Sequence, residues 1–151
     1  MDTRDKAHGT RGERGQALIE MAIALPLMLL VAVAIFEFGR AYQTQQVLTN
    51  AAREGARMAV LPDASVSNVE TRVRDYLTAG QLTNVDAADV DINTAAKIPM
   101  GAGEVTASVV TVNYPFQFAV LGPVAKLVSS SSKMPGSVTL SAAAEMRNET
   151  Q

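Results

Sequence analysis

A chain of 151 residues with no cysteine, 48% hydrophobic and 19% charged, can hold one modest domain beside whatever its apolar stretches do. The missing thiols exclude disulfides, thiolate chemistry and Cys-ligated zinc, and the only histidine, His8, stands too near the amino end to build a His-based dyad in the folded part. Net charge is −2, divided unevenly: residues 1–15 carry four basic and three acidic groups and the remainder nine basic and twelve acidic, without a basic stripe interleaved with aromatics, so no nucleic-acid partner is expected.

Residues 1–15 alternate in charge and hold three glycines. They bury too little apolar surface to offset the entropy of ordering, which predicts a disordered leader. Arg11 and Arg14 precede the apolar segment and Arg40 follows it, a weak bias toward an amino end on the cytoplasmic side. From Ala17 to Phe38 the only charges are Glu20 and Glu37, near the two ends. As a helix this stretch is about 30 Å long, enough to cross a bilayer core. Pro26 has no N–H for the carbonyl of Ala22, so a kink or local loosening is expected there.

Three readings of this segment stand side by side. A secretory signal would use Leu18 to Leu30 as its apolar core and be cut after Ala34, releasing a soluble binding or adhesion domain that begins at Ile35. An uncleaved anchor would leave a membrane-bound surface protein. A type IV prepilin, cut after Gly15, is the reading that gives Glu20 a purpose. A carboxylate costs roughly 2.5–3.5 kcal/mol at mid-bilayer and less toward the interface. If Gln16 becomes the first residue, Glu20 lies one helical turn from the new α-ammonium and within reach of that of a packed neighbour. The plainer alternative leaves Glu20 in the headgroup region with no role.

Gly15-Gln16-Ala17-Leu18-Ile19-Glu20 resembles the processing site of type IV pilins and pseudopilins. With Ala24-Leu25-Pro26-Leu27, Glu37-Phe38-Gly39-Arg40 and Asn50-Ala51-Ala52-Arg53-Glu54-Gly55-Ala56-Arg57, the chain is similar to the TadE-like family of tight-adherence (Flp) pilus systems. Met21 stands where this group often has an aromatic residue. The resemblance covers residues 15 to about 60; beyond them it is a general pattern of strands. It implies cleavage by a prepilin peptidase at Gly15 and Gln16, an assembly role for Glu20, and Glu37, Arg40, Arg53, Glu54, Gly55 and Arg57 as family-motif positions. It also implies pilin or pseudopilin subunits and the tight-adherence machinery as partners. The resulting location is the cytoplasmic membrane, single-pass, with the globular part outside, or the pilus after assembly.

After Arg40 the helical pattern continues. Val47, Leu48, Ala51, Ala52, Gly55, Ala56, Ala59 and Val60 form one stripe, mostly alanine and glycine, that predicts close packing on the chain's own sheet. Glu37 with Arg40, and Arg53, Glu54 and Arg57, read as solvated helix charges. Leu61-Pro62 ends the helix. A second helix follows, capped by Ser65 or, as a capping box, by Ser67 with Glu70, with Val66, Val69, Val73 and Leu77 on one face and Gly80 at its end. Asp89 to Asn93 reads as a short strand whose acidic face fails the EF-hand pattern, since Thr94 and Met100 replace the required glycine and glutamate.

Glu104 to Tyr114 is the clearest strand; its apolar parity switches midway, as at a bulge or in a central strand covered on both faces. Pro115 to Ser132, an excursion extending over residues 115–133, is long for a hairpin, and reads either as a partner-contact or membrane-surface element or as packing over the sheet. Ser137 to Ala144 alternates, with Val138, Leu140, Ala142 and Ala144 inward, and should pair antiparallel with the preceding strand, before a polar tail.

The expected architecture is α+β and pilin-like. It comprises a leader (1–15), a transmembrane helix (16–38), its extracytoplasmic continuation (39–60) and a small domain (61–151) with a second helix and an antiparallel sheet. Neither a nucleophile with a base partner nor a glycine-rich phosphate loop is visible, so no enzyme activity, cofactor, metal or small-molecule substrate is expected.

Overall fold

The computed structural model describes residues 9–101, 103–120, 122–123 and 137–148, with side chains described from residue 15 onward. A single helix, α1 (Gly9–Ala59), leads into α2 (Val66–Ala79), a 3₁₀ turn at Val85–Ala87, and strands β1 (Asp89–Met100), β2 (Gly103–Gln117) and β3 (Ser137–Arg147). The strands make one antiparallel sheet in the order β1-β2-β3. Along β2, Ser108, Val110, Val112, Tyr114 and Phe116 are buried while the residues between them are half-exposed, so the helices cover one face. The fold is α+β, as the patterning predicts.

α1 begins earlier than expected. Composition predicts disorder throughout residues 1–15, yet Gly9 to Gly15 is helical. Extending a helix that already exists needs no new nucleus, and Arg11, Glu13 and Arg14 are good helix formers. Residues 1–8 lie outside the described part. Pro26 sits inside α1, which continues on both sides of it. At the other end the helix closes at Ala59, and Leu61 donates its N–H to the Met58 carbonyl at 3.1 Å before Pro62.

The outer half of α1 buries Leu48, Ala51, Ala52, Ala56 and Ala59 against Val69, Val73 and Leu77 of α2 and Val110 and Val112 of β2. Small side chains on α1 let three backbones converge. At Gly55 a Cβ would lie 2.6 Å from Val73 Cγ2 and 3.1 Å from Val110 Cγ1, so glycine is required by proximity alone. α2 starts as the Ser65 alternative has it, with the Asn68 N–H donating to Ser65 Oγ at 3.2 Å, and ends at Gly80. Val66, expected on the inner face, is instead 55% exposed in the first turn of α2.

Two strand expectations need correction. β1 runs from Asp89 to Met100 rather than stopping at Asn93. Its pairing with β2 steps from Asn93↔Val109 to Ala96↔Ala107, which sets Thr94 and Ala95 against Ser108 alone. The bulge therefore belongs to β1, and it falls where buried parity in β2 changes at Ala107 and Ser108. β2 also extends through Gln117, which moves Pro115 to Gln117 out of the expected excursion and into the sheet. β3 buries Ala142 and half-buries Leu140 and Ala144 as expected, whereas Val138 is 39% exposed at the strand's open start. Of the rest of the excursion, Leu121 and residues 124–133 lie outside the described part.

β2 runs antiparallel to α1. Ser108 Oγ reaches the Ala59 carbonyl at 3.4 Å, Gly55 lies beside Val110, and Arg40 lies beside Phe116. The carboxyl end of β2 is thereby returned to the level at which α1 leaves its apolar stretch. Replacing Gly55 with alanine should cost about 1–3 kcal/mol of stability through overpacking. The check is the denaturation midpoint of the full chain in nanodiscs; in the Val73→Ala background the added cost should be smaller than in the parent.

Candidate functional site

α1 has two halves with different surroundings. Every residue from Gly15 to Ala32 is exposed. The helix from Gly15 to Ala59 is long and apolar enough to cross a membrane, with a mean hydropathy of 2.6 in its most apolar window and none of that window buried. The site of interest is the pair of carboxylates that bracket this uncovered stretch, Glu20 and Glu37, about 25 Å apart along the axis.

Glu20 is exposed, and Gln16 Nε2 donates to its Oε1 at 3.3 Å. Gly15 and Gln16 are exposed as well. A Cβ on Gly15 would meet nothing within 4 Å, so no packing among the described residues requires a glycine there. That contrasts with Gly55, whose lack of a side chain the fold uses.

Glu37 is different in kind. Sequence reading treats it, with Arg40, as a solvated pair; in the structure its side chain is fully buried. Its Oε2 accepts from Arg40 Nη1 at 2.9 Å and its Oε1 from the backbone N–H of Val120 at 2.5 Å. The Arg40 guanidinium lies 5.3 Å from the centroid of the Phe116 ring, and Phe116 meets Phe118 edge to face with centroids 5.3 Å apart. The segment after β2 thus folds over the helix and brings a backbone donor to the carboxylate. Helical periodicity carries no information about a contact 83 residues away. The available signal is that Glu37 stands between Phe36 and Phe38, an apolar setting in which a carboxylate needs donors.

Among the other motif positions, Glu54 is a junction rather than a lone surface charge. It accepts from Arg57 Nη2 at 2.8 Å and from Arg72 Nη2 of α2 at 3.0 Å, tying the two helices together. The hydrogen bonds from Arg57 and then Arg72 hold its carboxyl down to about 2 from an ordinary 4.5, and the same bond raises the Arg57 guanidinium. Arg53 is exposed. Among the described residues no three His, Cys, Asp or Glu side chains come together in a metal-ligating group.

Because the Glu54 carboxyl titrates lower folded than unfolded, its stabilisation is present above about pH 4.5 and lost as pH falls toward 2. Acid unfolding of the Glu54→Gln variant should therefore show a shallower pH dependence than the parent across that window, measured by circular dichroism in nanodiscs. Glu37→Leu should cost about 1–3 kcal/mol, since it strands the Val120 N–H and the Arg40 guanidinium; a parent-like denaturation midpoint would contradict the buried clasp.

No curated protein and no solved structure matches the chain. A family model does, over the segment that holds both carboxylates and Glu54. Residues 15–57 match the family described as TadE-like protein, the family that the amino-terminal motifs imply.

Proposed function

We propose that this protein is a minor pilin or pseudopilin of a tight-adherence (Flp) type IV pilus system. It is held in the cytoplasmic membrane by the span of α1 and matured by a prepilin peptidase that cuts after Gly15. The observation that carries this reading is the uncovered apolar stretch of α1 with Glu20 at its entrance, inside a segment that matches TadE-like proteins. A surface with no cover among the described residues needs lipid first and, on assembly, the equivalent helices of other subunits. Glu20 then has a partner to gain, the α-ammonium at Gln16 of its own or a neighbouring chain. Glu37 already has its donors within the chain, and so acts in holding the domain rather than in assembly. The role is structural, not catalytic.

Release of a soluble domain by cleavage after Ala34 is less well supported. The family match begins upstream of that bond and runs across it. That route also leaves both the unpacked Gly15 and the exposed Glu20 without a use.

The reading separates processing from assembly. Gly15→Trp should accumulate the full-length precursor in host membranes, seen as a larger species on immunoblots; normal maturation would contradict a prepilin. Glu20→Leu should insert and mature as the parent does while losing most pilus production in its host. Unchanged production would reduce Glu20 to an interfacial bystander.

A further inference from the structure

We infer that the segment 118–120 is a second membrane contact, an apolar patch that rests on the lipid interface at the point where α1 emerges. The inference rests on the reading of α1 as a membrane span. Three observations place the patch. The first is height: the Val120 N–H is bonded to Glu37 at 2.5 Å, and Glu37 closes an apolar run about 30 Å long that starts at Ala17, so the backbone at Val120 is fixed at headgroup depth. The second is composition. At that same level α1 exposes Phe36 (62%), Phe38 (65%) and Tyr42 (69%), and among the described residues Tyr76 is the one other exposed aromatic. Val120, held to Glu37 at the same level, is 38% exposed, and Val138, paired with Phe116 at this end of the sheet, is 39% exposed. Tyrosine is enriched at the headgroup level of membrane spans, and Tyr42 stands one turn beyond the two apolar rings.

The third is charge. Glu37 is fully buried, and its two oxygens are occupied by Arg40 and Val120. Arg40, with its side chain 39% exposed, lies over Phe116 and can reach the phosphate level with its guanidinium while its stem stays on apolar surface. The patch therefore offers lipid no bare carboxylate at its own centre. Its occupant is the bilayer interface, because the same helix that carries the patch is committed to the hydrocarbon directly beneath it. A span alone leaves the domain free to pivot on α1; a second contact beside it sets the tilt of the sheet over the membrane.

The absence of cysteine permits single-site labelling. Three full-length variants, Leu27→Cys, Lys97→Cys and Val120→Cys, each carrying a nitroxide, are reconstituted in phosphatidylcholine vesicles. Collision with oxygen, which concentrates in lipid, is compared with collision with a water-soluble nickel chelate. Substitution at Val120 keeps the backbone donor to Glu37, and Lys97, 72% exposed near the β1–β2 turn, reports the far end of the domain. The expected result is a deep position at 27, a shallow but oxygen-favoured position at 120, and nickel access at 97, with the oxygen-to-nickel ratio at 120 several-fold above that at 97. Equal nickel access at 120 and 97 with 27 still deep would overturn the second contact and leave the span standing. Nickel access at 27 would overturn the span and this inference with it. Protection at 120 that vanishes at one chain per vesicle would assign the patch to a second copy and overturn the lipid contact.

Discussion

A carboxylate at the end of a membrane-length apolar helix must find hydrogen-bond donors, and the chain supplies them to Glu37 from two directions. Arg40 comes from the next turn of the same helix, but the Val120 N–H arrives only after the chain has travelled through a second helix and two strands. The architecture in between can be seen as what makes that arrival possible. β2 must run antiparallel to α1, and must be long enough to return from Ala59 to Glu37. The extension of β2 through Gln117 provides the reach, and the stacking of Arg40 on Phe116 fixes the approach.

The core that supports this clasp is small, and α1 contributes to it chiefly through alanine and glycine. Such residues bury little area each, so stability depends on closeness rather than bulk. Gly55 marks the tightest point, where α1 meets Val73 of α2 and Val110 of β2 at once. One residue away, Glu54 is bound to α2 through Arg72. The motif around Arg53, Glu54, Gly55 and Arg57 is thus a docking surface for α2, with Arg53 left facing solvent.

Much of this was legible in the sequence, for physical reasons. The period of 3.6 in Val47 to Val60 and the cap at Ser65 located both helices, and the alternation in Glu104 to Tyr114 and Ser137 to Ala144 located two paired strands. Local patterns report local structure and one-sided burial. They did not report that β1 continues past Asn93, because its second half, Thr94 to Met100, contains a bulge and Pro99 and alternates poorly. They missed the burial of Glu37 outright, since that depends on a partner distant in sequence. Residues 9–15 of the leader were misjudged from composition because a short polar segment attached to a long helix inherits the helix's nucleus.

The two glutamates now stand as a contrast. Glu37 is satisfied within the chain, whereas Glu20 is exposed with a neighbouring glutamine amide at 3.3 Å. A carboxylate built into the helix entrance next to an unpacked glycine makes sense if the bond after Gly15 is cut and a new ammonium appears. The most direct test is the amino-terminal sequence and intact mass of the protein recovered from the membranes of its native host. The account predicts a chain that starts at Gln16. A start at Ile35 would make it an exported domain and a start at Met1 an unprocessed anchor, and either would contradict the assembly role assigned to Glu20.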